Sequence, residues 1–86
     1  MSRGGRKKKI IIAPRLWGLL EGDKDFFSKH TFTSRDIFAL YINQYGPKAI
    51  SHNEFSWVLT QRFDKPDSII LDKNERGRWT VAFKEN

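Results

Sequence analysis

Apolar residues change their spacing twice along this chain, and each change marks an element. Ile10, Ile11 and Ile12 form a β-branched run closed by Pro14, which predicts a short strand or an apolar strap laid over the domain. Pro14 then fits the first turn of a helix containing Leu16, Trp17, Leu19 and Leu20, because its missing N–H would be unpaired there anyway. Glu21-Gly22-Asp23 ends that helix, and Asp25 to Lys29 reads equally well as a continuation or as a separate turn.

The punctuation sharpens from Thr31 onward. Thr33 and Asp36 have capping-box spacing, so a helix begins near Ser34, with Ile37, Phe38, Tyr41 and Tyr45 on one face and Leu40 and Ile42 flanking it. Gly46-Pro47 stops it. Ser51 and Glu54 form a second capping box, with Ile50 and Phe55 at the positions of a hydrophobic staple. At about 100° per residue, Phe55, Val58, Leu59 and Phe63 gather on one side of this helix and Asn53, Trp57, Thr60 and Gln61 on the other.

After Pro66 the period becomes two. Ser68 to Asp72 reads as one strand, and Arg78 to Lys84 as a second in which Trp79, Val81 and Phe83 share a face. Lys73-Asn74-Glu75-Arg76-Gly77 holds the turn between them, with Gly77 free to take positive φ. Thr31 to Thr33 adds a short third strand. The expected class is α+β: about three helices and a C-terminal antiparallel ribbon of two or three strands.

Charge divides the chain. Arg3, Arg6, Lys7, Lys8 and Lys9 are five cations without an acid in the first nine residues, which leaves 11 basic against 10 acidic residues in the rest. The net charge of +6 is therefore almost all terminal. Such a Gly-containing block reads as a disordered arm, residues 1–9, that binds a polyanion, or else as a solubilising tail or localisation signal. Residues 10–86 make one small domain, with the helix pair over about 34–64 and the ribbon over about 68–84.

Cysteine is absent, which excludes a disulfide scaffold and a thiolate zinc site and fits a reducing compartment. No apolar run approaches the ~20 residues that cross a bilayer, and Ile10 to Ala13 is too short for a signal peptide. An intracellular protein, in cytoplasm and nucleoid or in a nucleus, is the expectation. Catalysis finds no support: the two His are not spaced with carboxylates as metal ligands, no glycine-rich phosphate loop exists, and Asp23 and Asp25 are a lone pair without the rest of a calcium loop. No catalytic residue, metal, cofactor or small-molecule substrate is expected.

The order of capped helix, Gly-Pro turn, capped helix and basic-tipped ribbon from Phe32 to Phe83 resembles the winged helix-turn-helix superfamily, through Phe32-Thr33-Ser34-Arg35-Asp36-Ile37 at one end and Trp79-Thr80-Val81 at the other. The resemblance implies DNA binding, with the Ser51 to Phe63 helix as recognition helix and the ribbon as wing. On that helix Asn53 and Gln61 can make paired hydrogen bonds to adenine edges, Thr60 can bond a base or touch a thymine methyl, and His52 and Ser56 stand beside them. These are otherwise ordinary solvated positions. Lys73, Arg76 and Arg78 on the wing, with Arg3, Arg6, Lys7, Lys8 and Lys9 of the arm, would meet phosphate or enter the minor groove.

Trp57 departs from that plan. The recognition face has cations only near one end, at Arg62 and Lys65, and places a large aromatic group toward water unless the strap from Ile10 to Trp17 covers it. Double-stranded DNA, in transcription or replication control, is the first expectation. The alternatives are a protein-interaction module that grips a partner in the transcription or replication machinery through Trp57, or a binder of RNA or single-stranded nucleic acid.

Overall fold

The computed structural model describes residues 4–46 and 50–84, with backbone alone for residues 4–9. Its first element corrects the reading of the N-terminal third. Helix α1 (Gly4–Glu21) runs straight through the expected strand at Ile10 to Ile12 and carries Pro14 in its interior instead of at its start. Ile12, Ala13, Leu16, Trp17 and Leu20 are all buried, whereas Ile10 and Ile11 are exposed. That is a helical period and not an alternating one. Interior proline costs a helix ~3 kcal/mol, but each large apolar side chain removed from water returns ~1.5–3 kcal/mol, so four of them outweigh it. Helical backbone from Gly4 includes positions expected in a disordered arm. Arg3 and the side chains of Arg6 to Lys9 lie outside the described residues.

Gly22 and Asp23 close α1 by donating to Gly18 O and Leu20 O at 2.9 and 3.3 Å. The open question after them is resolved by a separate short helix, α2 (Lys24–Lys29), which buries Phe27 and packs on the sheet. The described residues therefore hold four helices where about three were expected. Strand β1 (Thr31–Phe32) follows, then α3 (Ser34–Tyr45) and α4 (His52–Gln61).

Both predicted capping boxes form. Thr33 and Ser51 each accept from the backbone of the third helical residue, whose carboxylate in turn accepts from the cap N–H. Ile50 and Phe55 are buried, as a staple requires. Gly46 takes φ +95° after α3 and donates to Ile42 O at 2.8 Å. The rest of the expected turn, Pro47 to Ala49, lies outside the described residues.

Helix α4 ends earlier than its apolar pattern suggests. Arg62 adopts φ 54°, ψ 42°, and its N–H and that of Phe63 turn back to Leu59 O and Val58 O, each at 3.2 Å. This is the paired termination usually built on glycine. Trp17 Nε1 then donates to Phe63 O at 2.8 Å, locking α1 against the end of α4.

Strands β2 (Ile69–Lys73) and β3 (Trp79–Phe83) pair antiparallel, and β1 lies on the other side of β3, giving a three-stranded antiparallel sheet in the order β1-β3-β2. Ile69, Leu71, Trp79 and Val81 alternate inward, as the period of two demands. Beyond the last pair, Lys73 with Trp79, the chain turns at once. Gly77 at φ +80° donates to Asn74 O at 3.1 Å, Asn74 donates to Arg78 O at 2.8 Å, and the Asn74 side chain accepts from Arg76 and Arg78. The ribbon tip is short and tied to its own backbone.

One buried polar atom stands out. Tyr41 packs its ring against Tyr45 and Phe55 at 5.0 and 5.3 Å and is fully buried, yet its Oη has no hydrogen-bond partner among the described residues. An unpaired buried hydroxyl costs ~1–3 kcal/mol of desolvation. Tyr41→Phe should therefore keep or raise stability, by about 1 kcal/mol, in urea denaturation. A clear loss would mean that the hydroxyl is bonded.

Candidate nucleic-acid interface

The outward side of α4 carries Asn53, Trp57, Thr60 and Gln61, all exposed, with Ser56 half-buried at the edge. Trp57 is 47% exposed, and the segment from Ile10 to Trp17 is part of a helix whose buried residues, Ile12, Ala13, Leu16 and Trp17, join the core. Rigidity comes from both ends of α4. The capping box and staple hold its start, and the turn at Arg62 with the Trp17 bond holds its end.

His52 sits at the half-buried margin of this face. Its Nε2 lies 3.2 Å from Ser34 Oγ and its ring stands edge-on to Phe38 at 5.3 Å. It joins the start of α4 to the start of α3, which sets the angle between the two helices and leaves less of the ring for a ligand.

The two cations noticed near the end of α4 serve the backbone. Arg62 Nε and Nη2 donate to Leu71 O at 3.3 and 3.0 Å while the guanidinium lies 5.4 Å from the Trp79 ring. Those contacts offset the ~1–2 kcal/mol that a non-glycine residue loses in the left-handed region. Lys65 Nζ donates to Pro66 O and Ile69 O. Neither is spread along the outward row, which is polar, aromatic and nearly neutral.

On the ribbon the three cations divide. Arg78 reaches back across β1, donating to Thr31 Oγ1 at 2.7 Å and Thr31 O at 3.0 Å, and its Nη2 is 3.9 Å from Asp36 Oδ2. Lys73 and Arg76 are exposed, the first with its ammonium 5.4 Å from the Trp79 ring and the second at the tip. Lys73 and Arg76 are thus the ribbon charges available to a polyanion. Arg78 is a brace between sheet and helix.

Asp36, the acid beside Arg78, carries a pH dependence set mainly by its own helix cap. The Thr33 N–H, 3.0 Å from Oδ2, holds the Asp36 carboxyl below the usual carboxylate range; the Thr33 hydroxyl and the Arg78 guanidinium add to this, and slight desolvation opposes it. A carboxyl with a depressed folded-state pKa stabilises the fold above its unfolded pKa, and that contribution disappears as pH falls through the folded pKa. Stability should therefore drop on acidification below the ordinary carboxylate range, and Asp36→Asn should flatten that limb of the curve. Arg78→Met should cost about 1–2 kcal/mol in denaturant titration. An unchanged midpoint would show that Arg78 braces nothing.

Among the described residues no cluster of His, Cys, Asp or Glu could hold a metal ion, and no helix is long and apolar enough to cross a membrane. Sequence reasoning placed the α4 row correctly on an exposed face, because its spacing is helical and its neighbours are apolar. It missed the commitment of Arg62 and Arg78, which depends on carbonyls brought near by the tertiary fold. Compared with protein-family models, curated proteins and solved structures, the chain matches none.

Proposed function

We propose that this chain is a winged-helix protein that binds double-stranded DNA without catalysis, in control of transcription or replication. The observation that carries the proposal is the outward row of Asn53, Trp57, Thr60 and Gln61 on a helix braced at both ends. The order of elements supports it, since β1 joins a C-terminal ribbon beside a capped helix pair. An α-helix with its side chains is ~10–12 Å across, which suits a major groove ~12 Å wide. Asn53 and Gln61 present amides to adenine edges, Thr60 meets a base or a thymine methyl, and Trp57 packs on sugar or methyl groups. Lys73, Arg76 and the basic block supply attraction to phosphate.

Fluorescence anisotropy with a labelled duplex at low salt tests this, using wild type and an Asn53→Ala/Gln61→Ala pair. Binding by wild type that loses sequence preference in the pair supports the reading; negligible duplex affinity at low salt sinks it. Half-exposed Trp57 in a row where α4 itself supplies no Lys or Arg favours a second reading, capture of a protein of the replication or transcription machinery. Trp57→Ala that retains duplex affinity but releases such a partner would favour that one.

A further inference from the structure

Strand β2 stands at one end of the sheet, and its outer edge meets no other strand among the described residues. The bonds at the two ends of the ribbon fix which groups lie on that edge. Lys84 N donates to Ser68 O and Asn74 N to Arg78 O, each at 2.8 Å. Bonded pairs alternate along an antiparallel ladder. In the register of Leu71 with Val81, Ile70 and Asp72 therefore bond to β3, while Ile69, Leu71 and Lys73 turn N–H and C=O outward. Such an edge is a template for a further strand.

Side chains close it. Arg62 donates twice to Leu71 O, from Nε and Nη2, and Lys65 Nζ donates to Ile69 O. The Ile69 N–H is turned to Pro66 O at 3.1 Å. The segment that carries the two cations is strained, since Arg62 and Asp64 both take left-handed backbone, at φ 54° and 55°. Glycine would make the Arg62 turn without that strain. What glycine lacks is the guanidinium on Leu71 O.

The register identifies the strand kept out. Ile69, Leu71 and Lys73 are symmetric about Leu71, so a second β2 laid antiparallel would set Leu71 opposite Leu71 and Ile69 opposite Lys73 as bonded pairs. The carbonyls that this pairing needs, Leu71 O at its centre and Ile69 O beside it, are the two that Arg62 and Lys65 hold. We infer that Arg62 and Lys65 close the β2 edge against β2 of a second copy of this chain, and that without them two copies join their sheets edge to edge. The inference is independent of the DNA reading.

Sedimentation velocity on the full chain without DNA tests it, comparing wild type with Arg62→Gly/Lys65→Ala. Glycine keeps the left-handed turn, so circular dichroism should be unchanged. The double variant should form dimers at ~0.1 mM where wild type is monomeric, an association at least about tenfold tighter. No larger species should follow, because pairing of like edges closes at two. In the dimer, amide hydrogen exchange should slow at least about tenfold at Leu71 and Lys73, and little at Ile70 and Asp72, whose N–H groups already bond to β3. If the double variant loses structure, Arg62→Gly alone, with Lys65 in place, decides by the same readings. Association no tighter than that of wild type overturns the inference. So does a dimer without new protection at Leu71 and Lys73, or open-ended assembly.

Discussion

Raising monovalent salt from about 50 to about 200 mM should weaken duplex binding roughly a thousandfold. The estimate follows from counting which cations remain for phosphate. Arg62, Lys65 and Arg78 are committed to Leu71 O, Ile69 O and Thr31, which leaves Lys73 and Arg76 on the ribbon beside the five cations of residues 1–9. About five to seven phosphates neutralised give a logarithmic slope of about −5 to −6. Replacing Arg3, Arg6, Lys7, Lys8 and Lys9 by Gln should remove most of that slope. Lys73→Ala with Arg76→Ala should reduce it by about two. Changes at Asn53 and Gln61 should lower preference among sequences, about 1–3 kcal/mol per base pair read, and leave the slope alone. A flat salt dependence in wild type would remove electrostatic attraction from the account, and the DNA reading with it.

Phe55→Ala should destabilise the domain by a large part of its total stability. Phe55 is fully buried, its ring lies 5.3 Å from those of both Phe38 and Tyr41, and it closes the staple over the start of α4. Truncating a buried Phe costs ~3–5 kcal/mol, against a total stability of ~4–13 kcal/mol for a chain of this length. The expected result is loss of the cooperative thermal transition, or its displacement by about 12 °C or more at about 4–8 °C per kcal/mol. Trp57→Ala, two residues on and facing outward, should move the transition little. If both variants melted like wild type, the packing of α4 on α3 described above would be wrong.

The contrast between those two residues was readable before any coordinates. A single helical wheel separates Phe55 from Trp57, because capping boxes at Thr33 and Ser51 set the phase of α3 and α4 from local chemistry. The strands were readable for a similar reason, since Ile69, Leu71, Trp79 and Val81 alternate around turn residues that permit one tight loop. Local signals failed where long-range burial overrode them. Pro14 argued for a helix start, yet Ile12 and Ala13 on its N-terminal side are buried within the same helix. Arg62 gave no hint of a left-handed turn, because the carbonyl of Leu71 that rewards it is nine residues away.

The candidate interface divides along the same line. That α4 offers an uncharged polar and aromatic face, and that the excess cations stand in residues 1–9 and on the ribbon, follows from residue order and the period of the helix. Which cations remain for that attraction does not. Arg78 and Arg76 look alike in the chain, but folding brings Thr31 and Asp36 to one and leaves the other at an exposed tip. The closed edge of β2 was equally hidden, since nothing in the strand itself names the side chains that bond its carbonyls. Periodicity and caps act over a few residues and are written in order along the chain; the partners of a charge come from segments that only the packed core brings together.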